Sequence, residues 1–491
     1  MTLLMKGRKV VRLNNDLLPH QVEGVKKLSK LKVGALFMEQ GTGKTITALE
    51  LCRLRMEQGK VEKIIWLCPC SAKQNIKAEI IKQAPKQMLE GIVICGIETL
   101  SSSIRANAYL RNLVIGSRCF LVVDESLLIK NPKAYRTENI IWLSQKCQYK
   151  LILNGTPISR NEADLFSQFF LLDWRILGYK SYWSFAANHL EYDPVIPGKV
   201  VRCLNTEYLA RKIEPYSYQV KKRECLTLPH KYYKYWDFCM TEEQWEHYEY
   251  IADILLYDVD EMKPETIYKL FTAMQAIACG RRVVFFKDNR KREHIRSKPF
   301  FGNAEENPRM QVLMDLADMD EKCIIFCTYE DDITKICEAI EARYGIGSVV
   351  RFDGKISNKK RAQNIQEFSR DARWFVANRN CASYSLNLQF CHNIIYFANT
   401  WDLATRLQSE DRVHRIGQDS DIRIWDIFAE STIDERIWMS LQRKENLLES
   451  FKDEIKSMGS KEKIKDFLNL KRPEKGNVRD TIYDCSDLME V

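Results

Sequence analysis

Short, continuous apolar runs bounded by charged or turn-forming residues recur in two parts of the chain. The first set comprises Gly34–Phe37, Ile64–Cys68, Gly91–Gly96, Cys119–Val123 and Lys150–Asn154. The second comprises Lys322–Cys327, Val349–Phe352, Arg373–Ala377 and Asn393–Phe397. Runs of this length without polar alternation read as strands buried on both faces. Stretches with helical spacing lie between them. In Asp16–Leu28, Val22, Val25 and Leu28 fall on one face and Pro19 stands in the first turn. Ile46–Leu51, Asn75–Lys82 and Asn358–Phe368 carry similar patterns. Alternating strands and helices predict parallel sheets covered by helices, with sites at the strand carboxyl ends. From Arg175 to about Lys298 this pattern stops. That region has aromatic helical stretches (Tyr182–Phe185, Trp245–Tyr250), an exposed loop around Pro194, Pro197 and Gly198, and an extended connector, Leu228–Lys231. Aromatics at these spacings are core residues more often than stacking platforms for bases. The expected architecture is α/β, with two tandem parallel-sheet lobes and helical insertions between them.

Composition narrows this picture. The 491 residues allow two to four domains, at roughly 100–200 residues each. With 45% hydrophobic and 29% charged residues, the chain has a soluble globular composition. No apolar run approaches the ~18 residues of a membrane span. The first residues, MTLLMKGRKVVRLNND, break into charges too early for a secretory signal. The sixteen cysteines are scattered apart from Cys68/Cys70 and Cys323/Cys327. They read as free thiols in a reducing compartment, and a zinc ribbon is not expected. The formal charge of +9 is a mild excess. Between Gly280 and Lys298, however, eight Lys/Arg face two acids. That stretch is either a solvated linker face or a track for a phosphate backbone.

Candidate chemistry starts at Met38–Thr45, MEQGTGKT, which lies between an apolar run and a helical one. Strand, glycine-bearing turn and helix is the order of a phosphate loop. Backbone N–H groups across Gly41, Thr42 and Gly43 would converge with the helix N-terminus on an anion. Lys44 would reach the β- and γ-phosphates, and the Thr45 hydroxyl would ligate Mg²⁺. Met38 stands where the usual pattern has its first glycine. Gln21 offers an amide donor and acceptor that can match an adenine edge; alone it reads as a surface glutamine. Asp124 and Glu125 end the buried run Cys119–Val123, where two carboxylates need a partner. A Mg²⁺ ion on Asp124 supplies one, with Glu125 polarising the attacking water. In the second set, no glycine-rich phosphate loop occurs. It holds instead Gln408–Gln418, QSEDRVHRIGQ, in which Arg412 and Arg415 are three apart and expected on one helix face. As arginine fingers they would stabilise charge on the γ-phosphoryl.

Gln21, EQGTGKT, WLCPCSAKQN, DESLLIKN and LNGTPISRN stand in the order of motifs Q, I, Ia, II and III of superfamily 2 helicases. In detail they resemble the Swi/Snf family of DNA-dependent ATPases, as do LPHQVEGV, DLFSQFFLLDW and the Gln408–Gln418 run. Phe352–Arg361, Thr400–Asp402 and Ala429–Ile437, with Arg443 and Lys444, also fit that family. Met38 then ceases to be a defect, since loops of the DEMGLGKT kind are usual there. Two departures stand out. Leu127 replaces the histidine of motif II, and motif V, Cys381–Leu388, lacks its usual glycines.

The resemblance implies RecA-like lobes: an ATP-binding lobe over 1–174, helical protrusions and a linker over 175–300, a C-terminal helicase lobe over 301–450, and a helix and tail over 451–491. It implies ATP and Mg²⁺ as cofactors, with Glu125, Gln408, Arg412 and Arg415 in catalysis. Ser71, Lys73, Thr156 and Thr328 hold the motif positions for nucleic-acid contact. The implied activity is ATP-driven movement along double-stranded or branched DNA in replication, recombination or repair. Protein partners in DNA processing are expected and a membrane is not. The expected location is the cytoplasm of a bacterial or virus-infected cell, or else a nucleus. Two other readings remain: a strand-separating DNA or RNA helicase, and a non-hydrolysing scaffold that binds nucleic acid.

Overall fold

The computed structural model describes residues 12–158, 161–194, 198, 200–257, 264–287, 293–318, 321–378 and 386–443. Most of the motif V run and the tail 451–491 lie outside these residues. The chain divides into two compact units at Thr227/Leu228.

The first unit carries β1 (Val33–Met38), β2 (Lys63–Cys68), β3 (Ile92–Gly96), β4 (Cys119–Asp124), β5 (Tyr149–Asn154), β6 (Leu190–Tyr192), β7 (Val200–Cys203) and β8 (Ser217–Val220). Six of them form one parallel sheet in the order β3-β2-β4-β5-β1-β8. Successive side chains of a strand point to opposite faces, and here both faces are buried. Phe37, Leu67, Val123 and Ile152 enter one core with Phe169 and Phe185. Met38, Trp66, Val122 and Leu151 enter the other with Leu49 and Tyr218. Helix α1 (Pro19–Leu28) precedes β1, and α2 (Lys44–Glu57) follows it directly. β6 and β7 pair as a separate antiparallel hairpin.

The second unit carries β9 (Lys231–Phe238), β10 (Arg281–Lys287), β11 (Glu293–Pro299), β12 (Cys323–Cys327), β13 (Val349–Phe352), β14 (Trp374–Asn378), β15 (Asn393–Tyr396) and β16 (Ile422–Ala429). Its parallel sheet runs β13-β14-β12-β15-β16-β9. Trp374, Ile325, Ile395 and Ile427 face a core shared with the helices Glu242–Tyr257, Pro264–Ala278 and Pro308–Ala317. The fully enclosed Arg309 clamps this core. Its guanidinium pairs with Asp434 and donates to the Ala278, Phe397 and Ile427 carbonyls.

These sheets correct the expected boundaries. The segment 175–300 is not an independent insertion, because β8 completes the first sheet and β9 the second. Both are edge strands. β8 has only four residues, too few for a period, and β9, with Lys231, Lys234 and Asp237 among its aromatics, lacks the continuous apolar run of a central strand.

Candidate active site

Each parallel strand of the first sheet delivers its carboxyl end to the same edge, and the candidate residues gather there. β1 runs into the loop Glu39–Gly43. Gly41 and Gly43 have φ of +82° and +91°, in the left-handed region that suits glycine. Thr42 is fully buried, and its hydroxyl donates to the Glu39 carbonyl at 2.7 Å. Lys44 opens α2 and its Nζ donates to the Met38 carbonyl at 2.7 Å, which folds the side chain back over the loop. Thr45 is half-buried in the first turn of α2.

Gln21 is buried and does not offer its amide to a base edge. Its Oε1 accepts from the Leu18 N–H and its Nε2 donates to the Thr42 carbonyl, both at 3.0 Å. His20 Nε2 shares that carbonyl at 2.8 Å. The amide therefore braces the phosphate loop against α1. A Cβ on residue 43 would fall 2.1 Å from Gln21 Nε2, so the brace itself requires glycine there.

Asp124 ends β4 with only 6% of its surface exposed. Burial, and then the neighbouring Glu125, push its carboxyl up to about 7, against the pull of Lys44 and of the Glu125 N–H. That N–H donates to Asp124 Oδ1 at 3.0 Å. The backbone of Glu125 is left-handed, with φ +53°. A non-glycine residue costs of order 1–3 kcal/mol there and is held by its surroundings.

The donor set fits a divalent cation. A buried carboxylate beside a second one favours a cation, and Thr45 adds a hydroxyl on the loop side. No cluster of three His, Cys, Asp or Glu residues suited to a metal occurs among the described residues. A carboxylate beside a hydroxyl is a donor pair that would suit Mg²⁺, which takes one or two carboxylates and completes its shell with water and substrate phosphates.

Ser71 and Lys73 follow β2, half-buried and exposed respectively. Thr156 follows β5, exposed, with its hydroxyl donating to the Ile158 carbonyl at 3.1 Å. Two residues near this edge escaped sequence reasoning. Asn154 ends β5, which lies between β1 and β4 in the sheet. It is 4% exposed; Oδ1 accepts from the Gly155 N–H at 2.8 Å, while Nδ2 is buried without a partner among the described residues. Gln168, fully buried on the helix Ala163–Leu177, ties Ser126 to Pro157. A polar residue ending an apolar run was the available signal for Asn154. Gln168 gave none, because its partners are distant in sequence.

In the second unit the expected helix face for Arg412 and Arg415 is not found. The helix Leu403–Glu410 stops before them, and residues 411–417 form successive turns. Arg412 and Val413 donate their N–H groups to the Ser409 and Glu410 carbonyls, three residues back, and Gly417 turns the chain at φ +94°. Burial of Val413 draws the chain inward, away from the helical path. Arg412 is buried; Arg415 is half-buried and donates to Asn387 Oδ1 at 2.5 Å. Gln408 is half-buried on the last turn of the helix. Thr328 follows β12, and its hydroxyl is enclosed with no partner among the described residues, so it is not presented to a backbone phosphate.

The helix leading to the arginines is anchored by a buried charge network. Arg406 donates to Glu410 at 2.8 Å and to Asp426 at 2.5 Å, with its guanidinium over the Tyr396 ring. Lys231 Nζ and the Tyr233 hydroxyl complete Glu410 at 2.8 and 2.9 Å.

A family model for the SNF2-related domain matches residues 73–293, and one for the helicase conserved C-terminal domain matches residues 308–417. The Homo sapiens DNA annealing helicase and endonuclease ZRANB3 is 25% identical over 507 residues, covering 94% of this chain and 43% of its own length. An uncharacterized ATP-dependent helicase of Bacillus subtilis, YqhH, is 23% identical over 482 residues, covering 92% of this chain and 82% of its own. Among solved structures, the Sulfolobus solfataricus SWI2/SNF2 ATPase core in complex with dsDNA is 21% identical. That comparison covers 94% of this chain and 99% of the other, with a TM-score of 0.40. The chain spans less than half the length of ZRANB3. The chain thus carries an SNF2-related domain followed by a helicase conserved C-terminal domain, the pairing that supports a Swi/Snf-type ATPase of helicase superfamily 2.

Proposed function

We propose that the chain is a DNA-dependent ATPase that converts ATP hydrolysis into movement along duplex or branched DNA. The observation that carries this reading is the meeting of Lys44 with Asp124 at one sheet edge, where burial and the neighbouring Glu125 hold the carboxyl up to about 7. Lys44 and the loop N–H groups bind the phosphates, and Glu125 orients the attacking water. Asp124 and Thr45 would hold Mg²⁺, which supplies charge neutralisation on the phosphates. Arg412 and Arg415 are the candidates for the charge that builds on the γ-phosphoryl. Ser71, Lys73 and Thr156 are the candidate backbone contacts, and contacts of that kind carry no sequence information.

The DNA dependence draws its support from the family and from relatives named for action on DNA. Replication, recombination or repair in a bacterial or virus-infected cell is the setting this reading favours. Displacement of a triplex-forming strand, run beside duplex unwinding, tests the movement. Displacement without unwinding is expected; robust unwinding replaces this reading with that of a strand-separating helicase.

A further inference from the structure

The basic stretch that sequence reasoning left open forms a two-stranded antiparallel ribbon, β10–β11. Its register pairs Arg282 with Lys298, Val284 with Arg296, and Phe286 with His294. Because alternate residues share a face, these six lie on one side. Arg281, Val283, Ser297 and Ile295 lie on the other. The inner side is spent on the fold. Val283 is buried in the core, and Arg281 is ion-paired with Asp331 at 2.8 Å and Asp332 at 3.3 Å.

The outer side differs. His294, Arg296 and Lys298 are exposed. Arg282 meets Glu243 at 2.7 Å, but no carboxylate among the described residues lies within ion-pair distance of Arg296 or Lys298. The Arg296 guanidinium sits 4.3 Å from the centre of the Phe286 ring, and His294 stacks on that ring at 5.3 Å. Stacking fixes the plane of the guanidinium and leaves its N–H edge for an oxyanion. Residues two apart on a strand are about 6.8 Å apart. That is the axial rise of two nucleotides, at about 3.4 Å each.

We propose that this outer face, centred on Arg296 and Lys298, is a contact for the sugar-phosphate backbone of duplex DNA, additional to the motor motifs. A two-stranded ribbon is narrow enough to follow a groove, and uncompensated cations spaced along one edge match a line of phosphates. The inference rests on the reading of the chain as a DNA motor, and it adds a grip that does not pass through the nucleotide site.

The test uses the full chain, the double variant Arg296→Gln/Lys298→Gln, and a control double, Lys26→Gln/Lys30→Gln, which removes the same charge from exposed positions on α1 and in the turn just after it. Binding to a fluorescent duplex is followed from low to high salt, and ATPase rates are measured with and without DNA. Losing two phosphate contacts should flatten the slope of log K against log salt by about 1.8 and weaken binding at least about tenfold near 0.1 M salt. The control slope and the DNA-free ATPase rate should stay at the wild-type value. A slope unchanged in the ribbon variant, an equal change in the control, or no duplex binding by the wild type overturns the proposal. If DNA stimulates the wild-type ATPase but the ribbon variant keeps its slope, the ribbon contact fails and the motor stands. If the slope flattens while DNA never stimulates the ATPase, the contact stands and the motor reading fails.

Discussion

The Ser126 hydroxyl donates to Gln168 Oε1 at 2.6 Å, and both residues are fully enclosed. Gln168 Nε2 in turn holds the Pro157 and Asp164 carbonyls, each at 2.8 Å. One side chain thus joins the residue after the Asp124–Glu125 pair to the turn that presents Thr156. Leu127, where family resemblance expects a histidine, cannot make a polar link of this kind. Gln168→Leu keeps similar volume but strands the Ser126 hydroxyl and the Pro157 carbonyl. The expected cost is roughly 1–3 kcal/mol, read as a shift in the urea midpoint. The ratio of DNA-stimulated to basal ATPase should also fall severalfold. An unchanged ratio would show that Gln168 only packs.

The phosphate loop depends on Gly43 in two ways, through its φ of +91° and through the closeness of Gln21. Gly43→Ala should weaken binding of a non-hydrolysable ATP analogue at least about tenfold, since the backbone strain alone is on the order of 1–2 kcal/mol. Adding Gln21→Ala removes the collision but not the strain. The double variant should therefore bind better than the two single losses sum to, a coupling that titration calorimetry can read. Strict additivity would contradict the brace.

Asn154 Nδ2 is a buried donor with no partner among the described residues, at the end of β5, which lies between β1, the strand leading into the loop before Lys44, and β4, the strand ending in Asp124. A donor placed there can serve charge on the γ-phosphoryl or the attacking water. Asn154→Ala should leave ATP affinity within a few-fold and lower single-turnover hydrolysis by about 10², the usual scale for one such donor. Equal losses in affinity and rate would mark a structural role instead.

Glu410 gives the second unit an acid-sensitive anchor. Burial works against its charge, but Lys231 and Arg406 outweigh burial and hold the carboxyl down to about 2. A carboxylate depressed in the folded state stabilises fully above its unfolded value, near 4.3, and loses that contribution as pH falls towards the folded value. The contribution is on the order of 3 kcal/mol. Denaturant unfolding from pH 6 downward should show stability falling below about pH 4.5, with a shallower fall in Glu410→Gln. Parallel slopes would remove Glu410 as the source.

The sequence made the parallel strands, the phosphate loop and the acidic pair legible because each is local. A buried strand is a contiguous run, and a loop with a lysine at its helix start is a contiguous motif. What stayed hidden depends on pairing across the chain. Gln21 alone read as a surface glutamine, and its burial stayed hidden because nothing local shows the Thr42 carbonyl closing on it. Arg412 and Arg415 looked like a helix face because three-residue spacing fits a helix, while the buried Val413 and the turn at Gly417 decide otherwise. β8 and β9 were missed because edge strands need only one good face. The basic stretch had an undecided meaning until the register of β10 and β11 sorted its charges onto two sides.

The central claim, that the Lys44 and Asp124–Glu125 edge runs an ATPase answering to DNA, is tested most directly by steady-state ATP hydrolysis with and without duplex DNA, with Glu125→Gln as the turnover control. The expected result is a rate at least several-fold higher with DNA in the wild-type chain. Glu125→Gln should bind nucleotide but turn over negligibly under both conditions. A wild-type rate indifferent to DNA, or a Glu125→Gln variant as active as the wild type, would contradict the account.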